Sequence, residues 1–327
     1  MAILSKMYFN AVFGALGGLL GWMLFGVLGE RNPSEQYLNF NLLLGGGLIG
    51  GSIGYFVVSV EAIRDQSLIR FARLASYGVL IAMVGGAIGM LTGDLINTGI
   101  QKIFTAMDIT LDTQGVSYLF VGMIARGLGW SLLGITIGAS EGIAARSLGK
   151  FSYGTIGGLL GGFIGGVLFE LLYSFALQAG ATTYLGNAFG LVILGACIGS
   201  LSALVQTVFQ PANVKVMRGW QEGREYPLDK PASLLGRDEH ADIALFRDMK
   251  VEKKHCYIKQ ISGKYYLINN GAPAEQTLVN EVPVADQREL LDGDRIQLGN
   301  IILKFQLRAA IIRAKKGAQL AVAPSAS

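Results

Sequence analysis

Cysteine is almost missing from this chain. The two that occur, Cys197 and Cys256, lie in different halves, one in an apolar stretch and one in a predicted strand. That excludes a disulfide framework and a thiolate metal centre. Catalytic patterning is missing as well: His240 has no partner pattern, no Ser/His/Asp constellation or nucleotide motif is present, and no metal-ligand cluster forms. Neither an enzyme nor a cofactor or metal is expected. Charge is scarce over the first 209 residues, which hold 18 of the 50 Lys, Arg, Asp and Glu residues but 38 of the 46 glycines. The net charge of +4 does not signal nucleic acid, because the basic residues gather beside apolar segments and no basic stripe with interleaved aromatics exists.

What is present in that first part is oil-soluble helix. A mean hydropathy of +0.46 is high for a wholly soluble protein, and a bilayer-spanning helix needs about 20 apolar residues. Six windows qualify, at about 8–29, 41–60, 77–99, 118–140, 153–178 and 185–209. The first lacks a convincing basic flank and runs into further spans, so it reads as a retained helix rather than a cleaved signal. Short basic loops stay on the cytoplasmic side. Arg64, Arg70 and Arg73 follow the second span, Arg146 and Lys150 the fourth, and Lys215 and Arg218 the sixth. The opposite loops hold only Arg31 and Lys102, with Glu30, Glu35, Asp108 and Asp112. The expectation is an integral protein of the inner or plasma membrane with both termini cytoplasmic.

The glycines repeat in register. Odd spans share Gly17-Gly18-x-x-Gly21, Gly85-Gly86-x-x-Gly89 and Gly161-Gly162-x-x-Gly165. Even spans share one five-then-four spacing: Gly45, Gly50, Gly54, then Gly129, Gly134, Gly138, then Gly190, Gly195, Gly199. This predicts a helical hairpin repeated three times. Glycines four apart, as at Gly50 and Gly54, Gly134 and Gly138, and Gly195 and Gly199, let helix backbones approach closely in lipid. Such helices suit a compact anchor, a homo-oligomer or a larger membrane complex, and packing is favoured over a central conducting pathway. Few charges lie within the spans. Asp94 and Glu170 share a repeat position, as do Arg126 and Asn187. An acid and a base meeting there would form either a structural ion pair, the favoured reading, or a polar vestibule for an ion, proton or small solute. Glu61 and Glu141 read as solvated helix ends, and Trp22 and Trp130 suit span packing or interfacial anchoring.

From about residue 227 the pattern changes to short alternating runs, such as Tyr265-Tyr266-Leu267-Ile268, separated by turns such as Ser262-Gly263 and Asp292-Gly293-Asp294. Many short strands punctuated in this way predict a β-sandwich. Leu235-Gly236-Arg237, the stretch Val251-Glu252-Lys253-Lys254-His255, and Leu291-Asp292-Gly293-Asp294-Arg295-Ile296-Gln297-Leu298-Gly299 stand in an order and spacing that resembles the forkhead-associated (FHA) family. The resemblance covers about residues 227–307. It implies recognition of phosphothreonine peptides by loops at one end of the sandwich, with Arg237 on the phosphate, a task suited to a permanently charged donor fork. Lys253, Thr277 and Asn280 match other recognition positions, and His255 matches a structural histidine. Glu252 stands where the family has serine, and Pro273-Ala274-Glu275-Gln276 lacks the asparagine and glycine expected before Thr277. A carboxylate beside Arg237 would pair with it and repel phosphate, so phosphate dependence is expected to be weak or absent.

The predicted architecture is therefore a six-helix glycine-rich membrane domain over 1–209, a linker over 210–226, an all-β FHA-like sandwich over 227–307, and a tail over 308–327. Within 307–316 a short basic helix on anionic lipid and a solvated extension are both open. The function this points to is a membrane-anchored scaffold that brings a cytoplasmic protein partner, phosphorylated or not, to a membrane assembly. The alternative is a transporter or channel subunit regulated by its FHA-like domain.

Overall fold

The computed structural model describes residues 2–29, 38–65, 68–106 and 116–308. The expectations placed on Glu30, Arg31, Glu35, Asp108, Asp112 and the tail beyond Arg308 lie outside the described residues. Contacts divide the chain between Phe209 and Gln210 into two units.

The first unit is six helices, α1 (Ala2–Gly29), α2 (Leu38–Asp65), α3 (Leu68–Ala106), α4 (Val116–Ala145), α5 (Leu148–Gln178) and α6 (Thr183–Phe209). Each is long and apolar enough to cross a membrane. They overrun the apolar windows because the flanking residues continue the helix. Leu68–Ser76, for example, contains no glycine or proline to stop α3. A capped break separates α4 from α5. Arg146 takes a left-handed conformation (φ 53°), Ser147 accepts a hydrogen bond from the Lys150 backbone N–H at 3.1 Å, and the new helix starts at once.

Each helix packs on its chain neighbours and α6 closes back on α1, forming a ring in which α2 also touches α4 and α6. The glycines set the closeness of this ring. A Cβ on Gly50 or Gly54 would overlap the carbonyl oxygen of Ala82 or Gly78 on α3. Gly134 and Gly138 stand likewise against Gly158 and Gly154 on α5, and Gly195 and Gly199 against Gly14 and Asn10 on α1. The same two positions of each even helix thus meet the next odd helix. Inside the ring, Ile49, Leu133 and Leu194 precede the first of these glycines, and Ile53, Ile137 and Ile198 precede the second. All six are at most 2% exposed and belong to one apolar core. Lipid tails are as apolar as these side chains, so close dispersion packing rather than water exclusion holds the layers together. Trp130 joins this core at 5% exposure, whereas Trp22 donates its indole N–H to the Tyr184 carbonyl at 2.8 Å.

The second unit is a β-sandwich. One sheet runs β2 (Glu225–Pro227), β1 (Ala212–Arg218), β11 (Ile301–Leu307), β10 (Arg295–Leu298), β7 (Thr277–Val279), β8 (Val282–Pro283). The other runs β4 (Ile243–Ala244), β3 (Ala232–Gly236), β5 (Cys256–Ile261), β6 (Lys264–Asn269), β9 (Gln287–Leu290). Alternation decides the faces. Val214 and Val216 of β1 and Ile301, Leu303 and Phe305 of β11 point inward while the residues between them do not. The turn at Ser262 (φ 49°) and Gly263 (φ 79°) gives the two-residue β5–β6 hairpin the twist its strands need. The linker expected over 210–226 is corrected here. β1 and β2 belong to the sandwich, with Ala212 paired to Leu307 and Lys215 to Lys304, so only Gln210 and Pro211 separate α6 from the first strand. Hydrogen bonding to β11, far along the chain, makes a strand of a segment whose own signal is three alternating apolar residues.

Candidate functional site

Among the described residues, the ion pairs of the helical unit fall into two groups. In the first, Arg126 of α4 forms an ion pair with the buried Glu170 of α5, and its guanidinium carbon lies 4.5 Å from the centre of the Phe169 ring and 5.3 Å from that of Tyr173. Asp94, at the same repeat position as Glu170, is exposed on α3 and has no ion pair among the described residues. The physical reason is its neighbour, since the residue of α2 equivalent to Arg126 is Leu42. Asn187 is half-buried on α6 and does not join the pair.

The second group draws on five helices. Lys6 of α1 lies 3.3 Å from Glu61 of α2. Lys150 of α5 pairs with Glu61 and lies 3.5 Å from Glu141 of α4, and Gln206 of α6 donates to Glu141 at 2.7 Å. Glu61 and Glu141 are therefore not solvated helix ends. Glu141 is 7% exposed, and two cations and two carboxylates on four helices neutralise one another, with the Gln206 amide joining from a fifth. The capped start of α5 sets Lys150 in its first turn, facing both acids.

In the sandwich, the candidate recognition end is built by the β1–β2, β3–β4, β4–β5, β6–β7 and β10–β11 connections. Gly236 ends β3 against the Lys253 carbonyl, where a Cβ would overlap, and two backbone bonds clamp the loops: Arg237 N–H to Glu252 O at 2.9 Å and Asp238 N–H to Lys253 O at 3.2 Å. The Arg237 side chain is half-buried. Its Nη1 lies 3.0 Å from Met249 Sδ, and its buried Nε has no hydrogen-bond partner. No ion pair joins Arg237 to Glu252, which corrects the expected blocking contact: the Glu252 side chain points to solvent while its backbone N–H donates to His255 Nδ1 at 3.0 Å. Lys253 is exposed.

His255 is fully buried. Since Nδ1 accepts, Nε2 carries the proton and donates to Thr277 Oγ1 at 2.9 Å. Burial holds the imidazole below its ordinary range. Thr277, expected as a contact residue, is likewise wholly buried and serves the histidine. Asn280 sits at the far end of β7 in a left-handed turn (φ 49°), donating to Asp294 at 2.8 Å and accepting from the Arg295 N–H at 2.9 Å. It is a turn residue, away from Arg237. Asp248, which carried no sequence signal, is a buried brace: it accepts from the Lys250 N–H at 3.0 Å and the Asn300 N–H at 2.7 Å. Burial pushes the Cys256 thiol up and leaves it unreactive.

A family model described as the cytoplasmic domain of an inner membrane component of T3SS matches residues 215–309. The glycogen accumulation regulator GarA of Mycolicibacterium smegmatis is 31% identical over 107 residues, 33% of this chain and 66% of GarA. The oxoglutarate dehydrogenase inhibitor of Corynebacterium diphtheriae is 30% identical over 110 residues, 33% of this chain and 75% of the inhibitor. A solved FHA domain studied for phosphothreonine-dependent interactions is 26% identical, with 30% of this chain and 97% of that chain covered and a TM-score of 0.27. The chain thus spans just under two thirds of the length of GarA.

Proposed function

Because its sandwich makes this chain a member of the forkhead-associated family, we propose that it is a membrane-anchored FHA scaffold that recruits a protein partner to a membrane assembly from the cytoplasmic side. The observation that carries this is Arg237, a guanidinium at the recognition end with no acid within ion-pairing distance and a buried Nε left without a partner. A buried donor without an acceptor costs about 1–3 kcal/mol, and a phosphate or carboxylate on the partner would supply one. The sparing of Arg237 by Glu252 supports a contribution from phosphothreonine. That contribution is modest, because Glu252 still stands nearby and the family's asparagine and glycine before Thr277 are absent.

The cytoplasmic placement rests on the distribution of Lys and Arg between loops, and the family model's own description supports it. The names of the two relatives, a regulator and an inhibitor, support a protein-directed rather than catalytic role. The aliphatic layers inside the helical ring favour an anchor over a conduit, and the Arg126–Glu170 pair favours structure over a vestibule. Full-length protein in lipid nanodiscs, titrated with matched phosphothreonine and threonine peptide libraries, tests the reading. The phosphorylated pool should bind up to about tenfold tighter, and Arg237→Ala should erase that difference. Equal binding of both pools by the wild type would remove phosphate from the proposal.

A further inference from the structure

The outer face of the sheet that contains β5, β6 and β9 carries a pattern of its own. Alternation buries Ile258 of β5, Leu267 of β6 and Leu290 of β9 in the core and turns the residues between them outward. Register sets these outward residues in rows across the three strands. Lys259 pairs with Tyr266, and Tyr266 with Glu289. In the next row toward one end Ile261 pairs with Lys264, and Leu291 continues β9 beyond Leu290, the partner of Tyr265. In the next row toward the other end Tyr257 pairs with Ile268, and Ile268 with Gln287. The face is open at Ile261 and Leu291, which are 47% and 63% exposed. Its charge is uneven, with a cation over β5 and an anion over β9. Lys259 has its Nζ 5.6 Å from the centre of the Tyr257 ring and no ion pair among the described residues, while Glu289 lies 3.0 Å from Lys264.

That arrangement is complementary to itself. Turning a second copy by 180° about an axis that runs along β6 through Tyr266 exchanges β5 for β9. Lys259 of each copy then faces Glu289 of the other, and Ile261 faces Leu291. Tyr266 and Ile268 meet their own equivalents on the axis. Lys264 lies there too, with its charge already met by Glu289 of its own chain. The strands of the two copies stay close to parallel, a common angle for stacked sheets. The other two-fold that stacks this face on itself runs across the strands through the same row. It sets Lys259 on Lys259 and Glu289 on Glu289, a juxtaposition of like charges that disfavours the pair. It also turns the two Ala212 ends to opposite sides, whereas the axis along the strands keeps them together, as two chains anchored in one membrane require. We infer that the outer face of β5, β6 and β9 binds the same face of a second copy of this chain. The inference rests on the membrane anchoring proposed above and not on phosphate recognition. Pairing presents two Arg237 loops at the same end of one dimer, so a partner with repeated sites is held by both at once.

The test is disulfide cross-linking of the full-length protein in cell membranes, in a Cys197→Ser background. Under mild oxidation Tyr266→Cys, on the axis, should give a covalent dimer about tenfold faster than Gln297→Cys on the outer face of the other sheet. Adding Lys259→Glu or Glu289→Lys to Tyr266→Cys should each lower the cross-linked fraction about tenfold. Expressing those two variants together under different tags should restore it, because each mixed pair again sets a cation against an anion at both contacts. Equal rates at Tyr266→Cys and Gln297→Cys overturn the inference. So do charge variants that cross-link as well alone as mixed, and so does a loss that mixing does not restore. Carbonate washing of the membranes reads anchoring separately. A chain that washes off yet keeps this cross-linking pattern would uphold the face-to-face contact while removing the anchoring reading, and a chain that stays but fails the mixing test would do the reverse.

Discussion

His255 is kept neutral by its position: it accepts from one backbone N–H, donates to one hydroxyl and is wholly buried. Its folded pKa lies below the unfolded value of 6.5, so its contribution to stability is complete above that pH and is lost as pH falls through the folded value. The unfolding midpoint of the sandwich should therefore drop as pH falls below 6.5, and that pH dependence should flatten in His255→Gln. Thr277→Val keeps the shape but leaves the Nε2 proton without an acceptor, and should cost about 1–3 kcal/mol in denaturant unfolding. Both residues sit in the part of the chain that resembles a recognition loop, and both act by holding that loop rather than by touching a ligand.

At the scale of whole helices, contact between backbones decides the outcome. Gly134→Ala or Gly195→Ala would drive a methyl group into a carbonyl of the facing helix, and either should lower stability in detergent by about 1–3 kcal/mol. Gly99 has open space around it, so Gly99→Ala should be neutral or stabilising by up to about 1 kcal/mol through helix propensity alone. Lys150→Met leaves Glu61 and Glu141 without their shared cation and should destabilise the bundle by about 3–5 kcal/mol. Adding Glu141→Gln should recover part of that loss, because the two sites are coupled. Thermal unfolding of the purified variants measures all of these.

For the molecule as a whole, the sequence makes the six apolar helices and most strands of the sandwich legible, because hydropathy and period-two alternation are local signals. The FHA likeness is legible because its motifs keep their order. Pairings between distant residues are harder to read. Lys150 and Glu61 are 89 positions apart, Gln206 and Glu141 65, and each one alone looks like a solvated residue near a helix end. β1 is a strand because β11 lies beside it, and Asp248 is a brace because Asn300 folds over it. Glu252 illustrates the opposite error, since the sequence predicts a charge contact that backbone geometry turns away. Removing everything from residue 301 onward should leave the helical unit folded while making the segment from 212 to 300 sensitive to protease, because β11 is the neighbour of both β1 and β10.

That pairing of the earliest strand with the latest has a consequence for biosynthesis. All six helices leave the ribosome before the first strand does, and this strand must then wait about ninety residues for its mate, a long-range closure that folds slowly. Anchoring therefore precedes competence. A prematurely terminated product keeps six helices of membrane-spanning length but no assembled loops, so on the proposed reading only a chain that has reached β11 can recruit a partner.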